Sequence, residues 1–167
     1  MKADKLYLVG FMAAGKTTLA RALARRLDWQ AVDIDELIEQ REHLTVAEIF
    51  AKRGEAYFRA LEREILIDQT GPRHLVVATG GGTFADPHNR AVINQDGVSV
   101  WLDVPFDELI ARLPADGRRP MAADRTQMER LFAMRQAAYA NARVRIDARG
   151  VHPEEVADRI IESVDEL

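Results

Sequence analysis

Gly10, Gly15, Lys16 and Thr17 carry the strongest chemical signal in this chain. The segment Gly10-Phe11-Met12-Ala13-Ala14-Gly15-Lys16-Thr17 satisfies the spacing G-x-x-x-x-G-K-[ST]. It follows an apolar run and opens a helical pattern, the context that this spacing needs. In such a turn, backbone N–H groups converge on phosphate oxygens, and the start of the helix adds positive potential. The nucleotide-contacting stretch is 10–18, namely Gly10, Ala13, Ala14, Gly15, Lys16, Thr17 and Thr18. Lys16 is expected to meet the β- and γ-phosphates, and the Thr17 hydroxyl to ligate Mg²⁺. The ligand this predicts is a nucleotide with Mg²⁺.

Further along, Asp33-Ile34-Asp35 ends a short apolar stretch. In an extended segment alternate residues share a face, so both carboxylates can point into one cleft. Phosphoryl transfer needs a carboxylate near Mg²⁺ and a group that orients the attacking hydroxyl. Either aspartate can instead cap the helix that follows. Arg59 stands beside Phe58 on a helix whose apolar line is Phe58, Leu61 and Ile65, at the edge of the buried face. Glu62, three residues on, is close enough to hold its guanidinium; a surface ion pair of that kind contributes up to about 1 kcal/mol. The triplet Gly80-Gly81-Gly82 after an apolar run suits close backbone approach to a ligand, although a tight turn also tolerates it. Arg118 and Arg119 lie in a stretch containing Gly117 and Pro120.

These residues need a scaffold. Residues 5–10 read as a short strand ending at a glycine. Leu19, Leu23 and Leu27, widened by Ala20 and Ala24, form the buried stripe of an amphipathic helix. Residues 31–32, 75–79, 98–102 and 144–146 read as further strands. Helical patterns fill the gaps near Glu36 and over 45–52, 56–69, 105–113 and 125–139. A last helix starts at Pro153, with Glu154 and Glu155 complementing its dipole and Val156, Ile160 and Val164 as its buried line. Strands alternating with helices imply an α/β fold, a single-domain three-layer α/β/α arrangement with a five-stranded parallel sheet. Residues 114–124 form a loop of a length used for lids.

Composition sets the outer bounds. The 167 residues, 47% of them hydrophobic, suffice for one domain, 1–167. With 23 Lys+Arg against 27 Asp+Glu, the net charge of −4 gives no basic surface for nucleic acid. The absence of cysteine removes disulfide scaffolds, thiolate metal sites and cysteine nucleophiles. Lys2 and Lys5 before the apolar run 6–14 imitate a targeting segment, but the run is too short to span a membrane and ends in Gly15-Lys16-Thr17. A buried first strand explains it better, and the expectation is a cytoplasmic monomer with no membrane partner.

Taken in order, these features resemble the shikimate kinases, within the nucleoside-monophosphate-kinase-like P-loop enzymes. The resemblance runs through 10–18, Asp33-Ile34-Asp35, Ile49-Phe50, Gly54-Glu55, Phe58-Arg59, Glu62, Gly80-Gly81-Gly82, Arg119-Pro120 and the pair Arg135 and Tyr139. It implies a P-loop kinase fold with a mobile lid at about 114–125 and an acceptor-binding helical region at about 33–62. It also implies transfer of the γ-phosphoryl group of ATP to the 3-hydroxyl of shikimate, a step of aromatic amino-acid biosynthesis. Asp33 then serves the metal side through water, alongside Thr17. Asp35 contacts the acceptor hydroxyls as the base, and Lys16 and Arg119 act on the transferring phosphoryl. Arg59 and Arg135 hold the carboxylate, and Gly80, Gly81 and Gly82 line the acceptor pocket. Arg112 and Pro153 flank the adenine. The chain departs from the family pattern at Ala13, at Thr83-Phe84, at Met121 and at Ala137-Ala138. Phe84 can therefore reshape the acceptor pocket, and Phe84 and Met121 are the residues to which a different acceptor would trace. Another hydroxy acid such as gluconate, or a nucleotide sensor without phosphotransfer, are the alternatives.

Overall fold

A computed structural model of the chain describes residues 1–113 and 122–167. The expected lid arginine Arg119, with Arg118 and Met121, lies outside these residues. Five strands, β1 (Lys5–Val9), β2 (Gln30–Asp33), β3 (Leu75–Ala78), β4 (Val98–Asp103) and β5 (Val144–Asp147), form one sheet in the order β2-β3-β1-β4-β5. Every pairing is parallel; Tyr7 stands opposite Val77 on one side and Ser99 on the other. Among the described residues seven α-helices accompany the strands: α1 (Lys16–Leu27), α2 (Ile34–Glu42), α3 (Val46–Asp68), α4 (Pro87–Asp96), α5 (Phe106–Ala111), α6 (Ala122–Tyr139) and, after β5, α7 (Pro153–Asp165).

The central strands β1 and β3 are buried at every position, as a parallel sheet covered on both faces requires. The start that imitated a targeting segment is thus the middle strand of the sheet. Even Lys5 is fully buried, its ammonium held by Asp96 at 2.7 Å and by the Gln69 carbonyl at 2.6 Å. Tyr7 donates to the same Asp96 carboxylate at 2.6 Å. On α1 the buried residues include Leu19, Ala20, Leu23 and Ala24. On α7 they include Val156, Ile160 and Val164, and Arg26 of α1 pairs with Glu154 and Asp158 of α7.

Two local features set the acceptor side. Thr45 and Glu48 form a reciprocal capping box that starts α3. Gly54 breaks α3 with φ 83° and ψ 169°, a conformation that leaves glycine as the fitting residue. The sequence pattern separates helices at 45–52 and 56–69, and the kink falls between them. The break lets the second half of α3 carry Phe58, Leu61, Glu62 and Ile65 into the interior.

Candidate active site

The phosphate loop leaves β1 and enters α1 with three residues at positive φ: Gly10 at 147°, Ala13 at 61° and Gly15 at 90°. Gly15 is the N-cap of α1 and offers no capping side chain, so the first N–H groups of the helix stay open to an anion. A cavity of about 310 Å³ opens over them. Ala13, Ala14, Gly15, Lys16, Thr17 and Thr18 all line it, as expected, together with Asp33, Asp35 and the missed Thr79. Gly10 acts from behind, its carbonyl accepting the Lys16 ammonium at 2.7 Å; the Phe11 carbonyl accepts it at 2.8 Å. Burial pushes the Lys16 ammonium down to about 8, against the pull of Asp35 and Asp33.

Thr17 and Asp33 meet directly, the Thr17 hydroxyl donating to Asp33 Oδ2. The other carboxylate oxygen of Asp33 caps α2 by accepting from the Glu36 N–H at 3.1 Å. Asp33 therefore caps the helix with one oxygen while the other faces Thr17. A hydroxyl and one carboxylate oxygen are a hard, sparse donor set, which suits Mg²⁺ completed by water and phosphate oxygens. Among the described residues no group of three or more acidic or histidine side chains competes for such an ion.

The cap at Asp33 corrects the expected geometry of Asp35. Helix α2 begins at Ile34, so Asp35 lies in its first turn rather than in an extended segment. It still reaches the same cleft, because it lines the 310 Å³ cavity and a neighbouring one of about 510 Å³. Its Oδ1 is buried without a hydrogen-bond partner among the described residues. Burial, with Asp33 and Glu62 nearby, pushes its carboxyl up to about 6. Lys16 pulls in the opposite direction.

The larger cavity brings together Asp35, Arg59, Glu62, Gly80, Gly81, Gly82 and Arg135, with Met12, Phe50, Phe58 and Leu131 as apolar walls. Arg59 donates to Glu62 Oε1 at 2.9 Å, and Glu62 is 1% exposed, so this is no surface pair. The glycine triplet makes its close approach to the protein's own charged groups. A Cβ on Gly82 would stand 2.7 Å from Arg59 Nη2, one on Gly81 3.2 Å from Arg135 Nη1, and one on Gly80 3.0 Å from Asp35 Oδ1. Tyr139, fully buried one turn beyond Arg135, donates its hydroxyl to the Gly81 carbonyl at 2.5 Å. Burial pushes that phenol up to about 12, so it stays a donor. Sequence reading gave Tyr139 no task, although its position four residues after Arg135 places both on one face of α6.

One expectation changes, that for Phe84. Phe84 is fully buried in the core and does not line the acceptor cavity. Arg112 hydrogen-bonds the Ala13 and Ala14 carbonyls at 3.3 Å each, gripping the outer side of the phosphate loop. Glu108 holds Arg112 at 2.8 Å and the Gly150 N–H at 2.9 Å, which brings the loop before Pro153 towards Arg112. Pro153 itself is the first residue of α7. Neither Arg112 nor Pro153 lines the two cavities.

The shikimate kinase family model matches residues 12–165. The chain belongs to the shikimate kinase family. A shikimate kinase from Persephonella marina is 38% identical over 157 residues, covering 93% of this chain and 96% of that protein. One from Synechococcus elongatus is 42% identical over 163 residues, covering 95% and 85%. The solved structure of Acinetobacter baumannii shikimate kinase in complex with shikimate superimposes with a TM-score of 0.92 at 32% identity, over 99% of this chain and 94% of that one. The all-parallel P-loop kinase fold expected from the sequence is the fold of this shikimate kinase family member.

Proposed function

We propose that this chain transfers the γ-phosphoryl group of ATP to the 3-hydroxyl of shikimate, giving shikimate 3-phosphate for aromatic amino-acid biosynthesis. One observation carries the reading. Two cavities adjoin, one lined by the phosphate loop and one walled by two arginines, and Asp35 lines both.

In this reading ATP phosphates take the smaller cavity, held by the loop N–H groups and Lys16. Mg²⁺, held by Thr17 and through water by Asp33, would neutralise phosphate charge. Arg59 and Arg135 take the acceptor carboxylate, for which planar guanidinium forks are suited. The acceptor hydroxyl attacks the γ-phosphorus as its proton passes to Asp35, and the bond to the ADP oxygen breaks. A base near 6 is ionised at neutral pH while keeping useful proton affinity. Because Lys16, Asp33 and Asp35 surround one cleft, charge on the transferring phosphoryl meets a fixed polar environment. Arg119 is assigned by resemblance to cover the phosphates, and Arg112 and Pro153 to flank the adenine. A single domain with a lid, working as a cytoplasmic monomer without nucleic-acid or membrane partners, completes the proposal.

The test is ADP release with Mg²⁺ and ATP, with and without shikimate, for the wild type, Asp35→Asn and Arg59→Ala. Shikimate-dependent release is expected in the wild type. It should fall by about 10²–10⁴ in Asp35→Asn, whereas Arg59→Ala should mainly raise the KM for shikimate. No stimulation by shikimate in the wild type refutes the acceptor, and gluconate in a parallel series tests another hydroxy acid.

A further inference from the structure

We propose that Thr83 is a positioning residue for acceptor binding, acting through Glu62 on Arg59. The proposal rests on the reading that Arg59 holds the acceptor carboxylate. Thr83 opens a short 3-10 turn (Thr83–Ala85) directly after the glycine triplet and is fully buried. Its N–H donates to the Gly80 carbonyl at 3.2 Å, and its hydroxyl donates to Glu62 Oε2 at 2.9 Å. The other oxygen of the same carboxylate, Oε1, accepts Arg59 Nη1 at 2.9 Å. Each carboxylate oxygen thus has its own donor, one fixed in the core and one facing the cavity.

The fixed donor matters because Glu62 is almost wholly removed from water, so nothing replaces a lost partner cheaply. Arg59 is 31% exposed and has a second carboxylate within reach, Glu55, at 3.5 Å from its Nε and 68% exposed. Glu62 competes with Glu55 for the guanidinium, and the cavity-facing pose requires Glu62 to keep its rotamer. Threonine suits that task, since β-branching restricts χ1 and so aims the hydroxyl.

The same hydroxyl also separates two acids. Asp35 Oδ1, Glu62 Oε2 and Thr83 Oγ1 lie at 3.0, 3.1 and 3.1 Å from the single point that a Cβ on Gly80 would occupy. The one hydroxyl proton of Thr83 goes to Glu62, so the bond that Thr83 makes at this crossing is to Glu62. Thr83 touches neither cavity directly, so its influence runs through Glu62.

The experiment compares steady-state kinetics of Thr83→Val, Thr83→Ala, Thr83→Ser, Arg59→Ala and Thr83→Val/Arg59→Ala, with thermal denaturation of each. Loss of the hydroxyl in Thr83→Val, or in Thr83→Ala if valine does not fold, should raise the KM for shikimate by about 5–20-fold. The KM for ATP and kcat should stay within about 2-fold, and Thr83→Ser should restore the shikimate KM to within about 2-fold of wild type. In the Arg59→Ala background the valine substitution should add less than about 2-fold, because the group it positions is gone. An unchanged shikimate KM in both Thr83→Val and Thr83→Ala, beside a raised one in Arg59→Ala, overturns the role of Thr83 alone. Additive losses in the double variant, or equal rises in both KM values, also overturn it and leave a structural role. A wild-type shikimate KM in Arg59→Ala overturns the reading of Arg59, and the Thr83 proposal with it.

Discussion

Asp35→Asn should make this protein more stable at neutral pH while removing its chemistry. The folded-state carboxyl sits at about 6 against an ordinary value of 3.8. A difference of about two units, at about 1.4 kcal/mol each, sets roughly 3 kcal/mol against folding once the group is ionised. The attraction of Lys16 is already contained in that net shift. Two losses reduce the gain. Asp35 lies in the first turn of α2, where a negative charge gains about 0.3–1 kcal/mol from the helix dipole. The asparagine amide also has to find partners where Oδ1 has none, at a cost of about 1 kcal/mol. A net gain of about 1–2 kcal/mol remains, which for a chain of this length raises Tm by about 2–8 °C. The sign follows from the direction of the shift. An acid whose folded pKa is raised opposes folding above that pKa, and the opposition fades as pH falls from about 6 towards 3.8. Urea unfolding followed through Trp29 and Trp101, for both proteins from about pH 8 to about pH 4.5, measures the gap directly. A gap that favours the variant and closes on acidification is expected. A wild type at least as stable at the upper pH, or a gap that does not depend on pH, refutes the reasoning.

Ala13→Gly should stabilise the protein by up to about 1 kcal/mol, because Ala13 holds φ at 61° where glycine carries no Cβ penalty. The same change should lower the KM for ATP about 2–5-fold, as read from urea unfolding and ADP-release kinetics; a destabilised variant with a higher ATP KM contradicts it. Lys5→Met should cost about 3 kcal/mol, the low end for breaking a buried pair, because Arg73 still reaches Asp96 at 3.1 Å. Since the Lys5–Asp96 pair lies at the opposite end of β1 from the phosphate loop, kcat of the folded enzyme should not move. A loss below about 1 kcal/mol in urea unfolding, the range of exposed pairs, would show that the pair contributes no more than one of those.

The parts of the site that were legible in the sequence are those made by contiguous residues. The phosphate loop works through backbone N–H groups and a fixed spacing, so Gly10 to Thr18 already contain its geometry. The kink in α3 was legible for a similar reason: Gly54 interrupts two apolar patterns, and positive φ is its natural use. The register of Asp35 was not legible, because a cap formed by the Asp33 side chain decides where α2 begins. Phe84 shows the same limit from the other side. A large residue after a glycine triplet reads as a pocket wall, and only the packing around the 3-10 turn reveals it as core. The tasks of Tyr139 and Thr83 were not legible because each completes a hydrogen bond to a residue far away in sequence, Gly81 and Glu62 respectively.

The glycine triplet shows why the acceptor site assembles at one place. Each of its residues leaves room for charge delivered by another element: α2 and α3 bring Asp35 and Glu62 to Gly80, α6 brings Arg135 to Gly81, and α3 brings Arg59 to Gly82. Side chains at these positions would push apart groups whose mutual distances set the chemistry. Small displacements of that kind are costly, because orientation supplies a large part of catalysis. The triplet is anchored from both ends, by the Tyr139 hydroxyl on the Gly81 carbonyl and by the Thr83 N–H on the Gly80 carbonyl. Helix α6 is tied in turn to the phosphate loop, where Arg135 lies over the Phe11 ring at 5.7 Å and Phe132 packs edge-on against it at 5.4 Å. The chain of net charge −4 concentrates its cations where the fold can hold them still: Lys16 on loop carbonyls, Arg59 on Glu62, and Arg135 against an aromatic face.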